Sequence, residues 1–181
     1  MSRLPAIDQA NFTPEVKEIW KRVGAGRATG LAGPLGVLMH SPELADRFAH
    51  LENYFRTDAE LPPIDRELVI LAAVREMDAR FAWSRHELRG REIGARPEAI
   101  EIIRAKGGLD GLADHERLLV ELVRALVRTR ALPADLYARG QAELGDTQMV
   151  EVVTLVGHYI SVGLIITAFD VPTPADADPT F

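Results

Sequence analysis

"LPPIDRELVILAAVREMD" (residues 61–78) decides how the rest of the chain is read. Pro63 suits the first position of a helix, where its missing N–H is no loss. Beyond it Leu68, Val69, Leu71, Ala72 and Val74 make the segment apolar nearly all round. A helix without a polar face belongs in the middle of a bundle. The expectation is therefore a helical protein wrapped around this segment.

The neighbouring sequence agrees. Upstream, Thr13-Pro14 opens a helix that runs to about Val23. "GAGRATGLAGPLG" (24–36) holds five glycines and reads as a loop over the surface or at a pocket mouth. Ser41, as N-cap, starts a helix to about Arg56. Downstream, "ARFAWSRHELRGREIG" (79–94) reads as a helix stopped by Gly94, and a short helix follows Pro97 through Ile100 and Ile103 to Gly107. Residues 114–130 are strongly amphipathic. A further helix spans Pro133 to Leu144 and ends at Gly145, and Asp146 caps the last one, 147–169. The many β-branched residues of that last segment also suit a strand, but its length of about six turns favours helix. No strand alternation and no internal repeat appears. The fold class predicted is all-α, one domain over 1–181 with seven to eight helices. Residues 1–12 and 171–181 are peripheral tails, the latter frayed or packed on a neighbour.

Composition narrows the functions. At 47% hydrophobic and 27% charged the chain is ordinary globular material. A net charge of −6, with no Lys/Arg run, argues against nucleic acid as a partner. The absence of cysteine removes thiol nucleophiles, thiolate metal sites and redox Cys pairs. "MSRLPAIDQANF" has no apolar signal-peptide core, and the longest apolar run, "VGLIITAF" (162–169), is too short to span a bilayer. A cytoplasmic protein with no membrane partner is expected. "GAGRATG" lacks the GK[ST] ending of a phosphate loop and follows no strand.

Several side chains carry possible chemistry. His86 lies in "FAWSRHELRG" (81–90) as an acid/base, a ligand or a core histidine. Trp83 is a substrate platform or core. His40 sits beside the Gly-rich loop as a pocket rim or a surface histidine. His158-Tyr159 offers a second pocket wall, with the Tyr159 hydroxyl turned to a ligand or to a backbone carbonyl. His50 and His115 read as solvent-facing, and Arg75 and Arg85 as solvated. His86, His158, His40 and Glu67 are metal-capable types, but no H-x-x-x-H or E-x-x-H pair shares a helix, so no metal and no other cofactor is expected.

The stretches "GPLGVLMHSPELADRF" (33–48), "LPPIDRELVILAAVRE" (61–76) and "FAWSRHELRGREIGARPEAIEIIR" (81–104) resemble the carboxymuconolactone decarboxylase family, of the alkylhydroperoxidase-D-like superfamily. In that family an Arg-Glu pair opens an apolar helix, an aromatic-acid-Trp-x-x-His signature follows, and a Gly precedes a short helix. Here these are Arg66-Glu67, Phe81 to His86, and Gly94. Glu67 and His86 are 19 positions apart, as in the family's proton-relay motif. "MVEVVTLVGHYISVGLIITAFDVP" (149–172) is similar to the family's last helix. Two positions depart from it. The peroxidase branch carries cysteines where this chain has Ala79 and Ala82, and the decarboxylase branch commonly carries an acid at the latter.

The resemblance implies His86 as acid/base, Glu67 as its orienter and Arg66 as a clamp for a substrate carboxylate. The reaction implied is a cofactor-free lyase or isomerase step on a small carboxylated lactone or keto acid, of the kind met in aromatic-compound catabolism. A carboxylate accepting one ring N–H fixes the imidazole tautomer and leaves the other nitrogen to move a proton. The alternatives are a non-catalytic binding or scaffold protein, with Glu67 in the first turn of its helix merely to suit the dipole, and, more remotely, a hydroperoxidase, which would need the missing thiols. The resemblance also implies trimers or hexamers, in keeping with the surplus of apolar helix face. Light scattering after size exclusion, at micromolar concentration, should give a mass several times 19.9 kDa; a monomer would refute it.

Overall fold

In the computed structural model, residues 2–24, 30–175, 177 and 181 are described, and among them eight α-helices form and no strand. The helices are α1 (Pro14–Val23), α2 (Pro34–Leu38), α3 (Pro42–Thr57), α4 (Pro63–Glu76), α5 (Arg80–Glu92), α6 (Pro97–Ala105), α7 (Asp114–Thr129) and α8 (Ala134–Ala168). Proline stands in the first turn of α1, α2, α3, α4 and α6, where its fixed φ favours initiation and its missing N–H is harmless. This explains why the starts were legible.

α4 is the axis of the molecule. Its residues Arg66 through Val74 are buried without interruption, and it packs on α5, α6, α7 and α8. A second, smaller apolar cluster joins Ile19 and Val23 of α1 to Leu35, Leu38, Ala45 and Ala49 of α2 and α3. α5 and α6 are tied at the surface by Glu87, which accepts the Trp83 indole N–H at 2.8 Å and pairs with Arg91 and Arg104.

The Gly-rich loop is shorter than expected. Residues 25–29 lie outside the described residues, and Pro34–Leu38 closes into α2 because Pro34 starts a turn whose Leu35 and Leu38 find apolar cover. Ser41 precedes α3 as expected but makes no side-chain cap, whereas Thr13 accepts from Val16 N–H at 3.3 Å. Gly145 does break α8, at φ 70° and ψ 177°, a conformation open chiefly to glycine. Asp146, expected as a cap, accepts instead from the Gln141 amide at 2.9 Å.

Counted with its polar interruptions, α8 is long and apolar enough to cross a membrane, contrary to the expectation drawn from 162–169 alone. Yet 56% of its most apolar window is buried in the protein, as for a core helix. Val150, Val153 and Leu164 of α8 remain exposed. The C-terminal tail is not free at its end: Phe181 lies 3.8 Å over the Arg75 guanidinium and edge-on to Trp83. Arg75, expected in solvent, is instead largely buried and donates to Arg104 O at 2.6 Å. His115, also expected in solvent, bridges Asp65 at 2.8 Å and Glu143 at 3.1 Å, joining α4, α7 and α8.

Glu151 is a residue that the sequence reading passed over. Alone among apolar neighbours on α8, it is buried and accepts from Tyr54 O–H at 2.7 Å, Glu60 N–H at 3.0 Å and Leu61 N–H at 2.8 Å. It thereby terminates the α3–α4 connection. Glu151→Gln keeps the volume but turns an N–H2 toward donors. It should cost about 2 kcal/mol in urea unfolding, against about 1 kcal/mol for Tyr54→Phe, which removes one peripheral bond. Equal small losses would show that the carboxylate is not what holds the connection.

Candidate functional site

The candidate site lies where one face of α5 meets α4 and α8. Ala82, His86 and Arg89 follow at i, i+4 and i+7, and with Phe81 and Arg85 they line a cavity of about 290 Å³. α4 adds Arg66, Glu67 and Ile70, α8 adds Leu155, His158, Tyr159 and Val162, and the segment 32–35 covers one side. The Gly-rich region thus contributes to a pocket wall, as the sequence suggested for it.

Glu67 is the fifth residue of α4, one turn inside the helix rather than at its positive end, and only 1% exposed. Its Oε2 lies 2.7 Å from His86 Nδ1 and its Oε1 lies 3.1 Å from Arg89 Nε and 3.7 Å from Arg66 Nε. Burial pushes the Glu67 carboxyl up, but the His86 N–H and charge, then Arg89 and Arg66, outweigh it and hold the group below its ordinary value. Because the carboxylate only accepts, Nδ1 carries a proton. The Tyr159 hydroxyl lies 3.0 Å from Nε2, within hydrogen-bonding distance, its ring edge-on to the imidazole. Burial, then Glu52 and Glu67, push the Tyr159 phenol well above its usual range, so it keeps its proton. A continuous row Glu67–His86–Tyr159 results.

Around it the charge is asymmetric. Arg56, Arg66, Arg85 and Arg89 face the cavity, against the carboxylates of Glu52 and Glu67. Arg66, expected as an anion clamp, is buried and its guanidinium already donates to Phe55 O at 2.7 Å, with Glu67 beside it, so only part of its fork is turned to the cavity. Burial, ahead of all other causes, lowers its pKa. Arg85, expected in solvent, is a cavity wall. His158 is buried on the Phe48 ring at 4.3 Å.

Two expected substrate contacts are not part of this cavity. Trp83 is fully buried on the other side of α5, its N–H committed to Glu87 and its face to Arg104 at 5.1 Å; it is a core residue. His40 lines a neighbouring cavity, its Nε2 lying 3.2 Å from Pro5 O. Arg89 was not singled out from sequence, and Phe81 only as the aromatic that opens the signature. The signal was present in the i, i+4, i+7 spacing around His86, which puts Arg89 on the same face. Among the described residues no cluster of three His, Asp or Glu is placed to hold a metal ion.

The helical architecture with a Glu-His pair spanning two packed helices defines an all-α protein of the AhpD-like fold. A peroxidase-related protein from Silicibacter sp. TM1040 superposes with a TM-score of 0.75 at 13% identity, over 99% of this chain and 95% of that one. The alkylhydroperoxidase AhpD core of a peroxidase-related protein from Ralstonia eutropha JMP134 gives 0.76 at 14% identity, over 97% and 93%. A protein of unknown function from Agrobacterium tumefaciens, described in connection with the antioxidant defence protein AhpD, gives 0.68 at 23% identity, over 77% and 97%. These likenesses define the fold. Residues 42–125, which include α4, α5 and the Glu67–His86 pair, match the model of the Carboxymuconolactone decarboxylase family. No curated protein matches it by sequence.

Glu67 also makes a prediction about acid stability. A carboxyl depressed in the folded state contributes stability that is present above its unfolded pKa, near 4.5, and is lost as pH falls through the folded value. Below pH 4.5 the melting temperature of the wild type should therefore fall more steeply than that of Glu67→Gln. Parallel curves would mean that His86, Arg89 and Arg66 do not stabilise the charge.

Proposed function

We propose that this protein is a cofactor-free lyase or isomerase that moves a proton at a carbon conjugated to a carbonyl, in a small carboxylated lactone or keto acid. The observation that carries this reading is the Glu67–His86–Tyr159 row on the wall of an arginine-lined cavity. Guanidinium groups recognise carboxylates through paired N–H donors, and Arg85 and Arg89 are the ones nearest His86 in sequence on the cavity face of α5. In a decarboxylation the bond from carbon to the carboxyl group breaks, its electron pair enters the conjugated carbonyl, CO₂ leaves and a proton is returned to carbon. In an isomerisation one proton leaves and another returns.

His86 is the mobile-proton group in this scheme, with Glu67 fixing Nδ1–H and Tyr159 as the phenol donor on the opposite nitrogen. The substrate either displaces the phenol from Nε2 or takes the proton through it. Thiol-based peroxide reduction has no nucleophile in this chain, because there is no cysteine. Ala82, where the decarboxylase branch commonly has an acid, puts a methyl group on the cavity wall, which favours a second reading: a protein that binds such carboxylates without turning them over. We further propose that the exposed apolar residues of α8 are covered by copies of the same chain in an oligomer.

Carboxylated lactones and keto acids, followed by ultraviolet absorbance and CO₂ release, form the test. On a turned-over substrate His86→Ala should lower the rate by about 10²–10⁴. Glu67→Gln should cost less and move the pH profile, since it keeps shape but loses charge. Melting temperatures on the same preparations separate chemistry from stability, because a structural histidine would lower both together. Full turnover by folded His86→Ala would end the catalytic reading, and binding without turnover by the wild type would favour the second.

A further inference from the structure

A second cavity of about 830 Å³ adjoins the His86 cavity, and the two share Ala32, Phe81 and Arg85 as walls. The inner space, about 290 Å³, sits at the small end of ligand pockets, which run from about 300 to 1,000 Å³. The outer one is different in character. Leu4, Ile7, Leu31, Val37, Val171 and Pro172 are among its walls, and Arg85, at the seam with the inner cavity, and His40 are its ionisable side chains among the described residues.

Its walls are built rather than incidental. The N-terminal segment is fastened to the end of α8: Arg3 N–H donates to Phe169 O at 2.9 Å, Ser2 O–H to the same oxygen at 3.1 Å, and Arg3 Nε pairs with Asp170 at 2.6 Å. At the seam Gly33 has φ +80°, and a Cβ there would lie 2.2 Å from the Phe81 ring. Only a glycine lets that ring stand between the two spaces. The N-terminal segment, the loop before α2 and the segment after α8 thus border a largely apolar space, open on one side, beside the His86 cavity.

We propose that the outer cavity is a subsite for the hydrocarbon tail of an amphiphilic carboxylate whose head lies among Arg85, Arg89 and His86, with Phe81 and Gly33 selecting for an unbranched chain at the seam. This rests on the anionic-substrate reading above and extends it from a small carboxylated molecule to one with an apolar tail. Both cavities have apolar walls, but four guanidinium groups face the inner one, whereas Arg85 and His40 are the only ionisable side chains of the outer one among the described residues. Burying each added methylene in such a chamber should tighten binding about fourfold.

The probes are straight-chain carboxylates from propanoate to decanoate and the matching primary alcohols, measured by calorimetry on the full chain. The expected result is a dissociation constant that falls steadily once the chain passes the seam. That gain should be lost, by tenfold or more for decanoate, in Val37→Trp, which fills the outer cavity from α2, while propanoate binding is unchanged. Ala6→Trp fills it from the opposite wall and serves if the first variant does not fold. Affinity independent of chain length would overturn the proposal, as would a length dependence that both tryptophan variants leave intact. If alcohols gain with length as the acids do and bind equally well, the tail subsite stands and the anionic-head reading falls.

Discussion

The 2.7 Å contact between Glu67 and His86 is the interaction on which the rest of the site depends. α4 is buried along nine consecutive residues, and a carboxylate in such a place costs several kcal/mol unless it is paired and hydrogen-bonded. Meeting that requirement fixes the geometry of the neighbours. His86 and Arg89 must both point from α5 to α4, which sets the rotation of α5 and brings Phe81, Ala82 and Arg85 to the same cavity. Arg66, anchored to Phe55 O, completes the compensation from α4 itself. A buried charge here is less a source of stability than a constraint that selects one packing of two helices.

The legible part of the fold was the part controlled by local chemistry. Prolines mark helix starts, Gly145 marks the break in α8, and the all-round apolarity of 68–74 marks the central helix. What escaped depended on distant partners. Tyr159 and His86 are separated by 73 positions, so the hydroxyl was legible as a pocket wall but not as the partner of Nε2. Glu151 sits in an apolar run, and its role comes from N–H groups of Glu60 and Leu61, some 90 positions away. Arg75, Arg85 and His115 were read by their polarity as solvated, and tertiary partners overrode that. Trp83 illustrates the converse: an aromatic near a candidate histidine is core when its i+4 acid takes the indole N–H on the far face of the helix.

The missing thiols shape the site as much as the residues present. The fold is shared with peroxidase-related proteins, yet the chain has no cysteine and Ala79 and Ala82 are both buried apolar positions. Of the two, Ala82 lines the His86 cavity, where it puts a methyl group among arginine, histidine and aliphatic side chains. With Glu67 satisfied by its three neighbours, the cationic side chains facing the cavity outnumber the remaining carboxylate, Glu52.

The two ends of the row are each held in one protonation state. Glu67 is held ionised by the groups around it, and Tyr159 is held protonated by burial and by Glu52 and Glu67. The imidazole between them is satisfied in either form. Neutral, it donates from Nδ1 to Glu67 and accepts at Nε2 from the phenol. Charged, it keeps the first bond and donates from Nε2 to the phenol oxygen, which then turns its own hydrogen to the cavity. One proton added to the ring therefore reverses the Tyr159 hydroxyl without breaking either bond to His86. Both arrangements require Glu67 and Tyr159 to stand on opposite sides of the ring, as α4 and α8 place them.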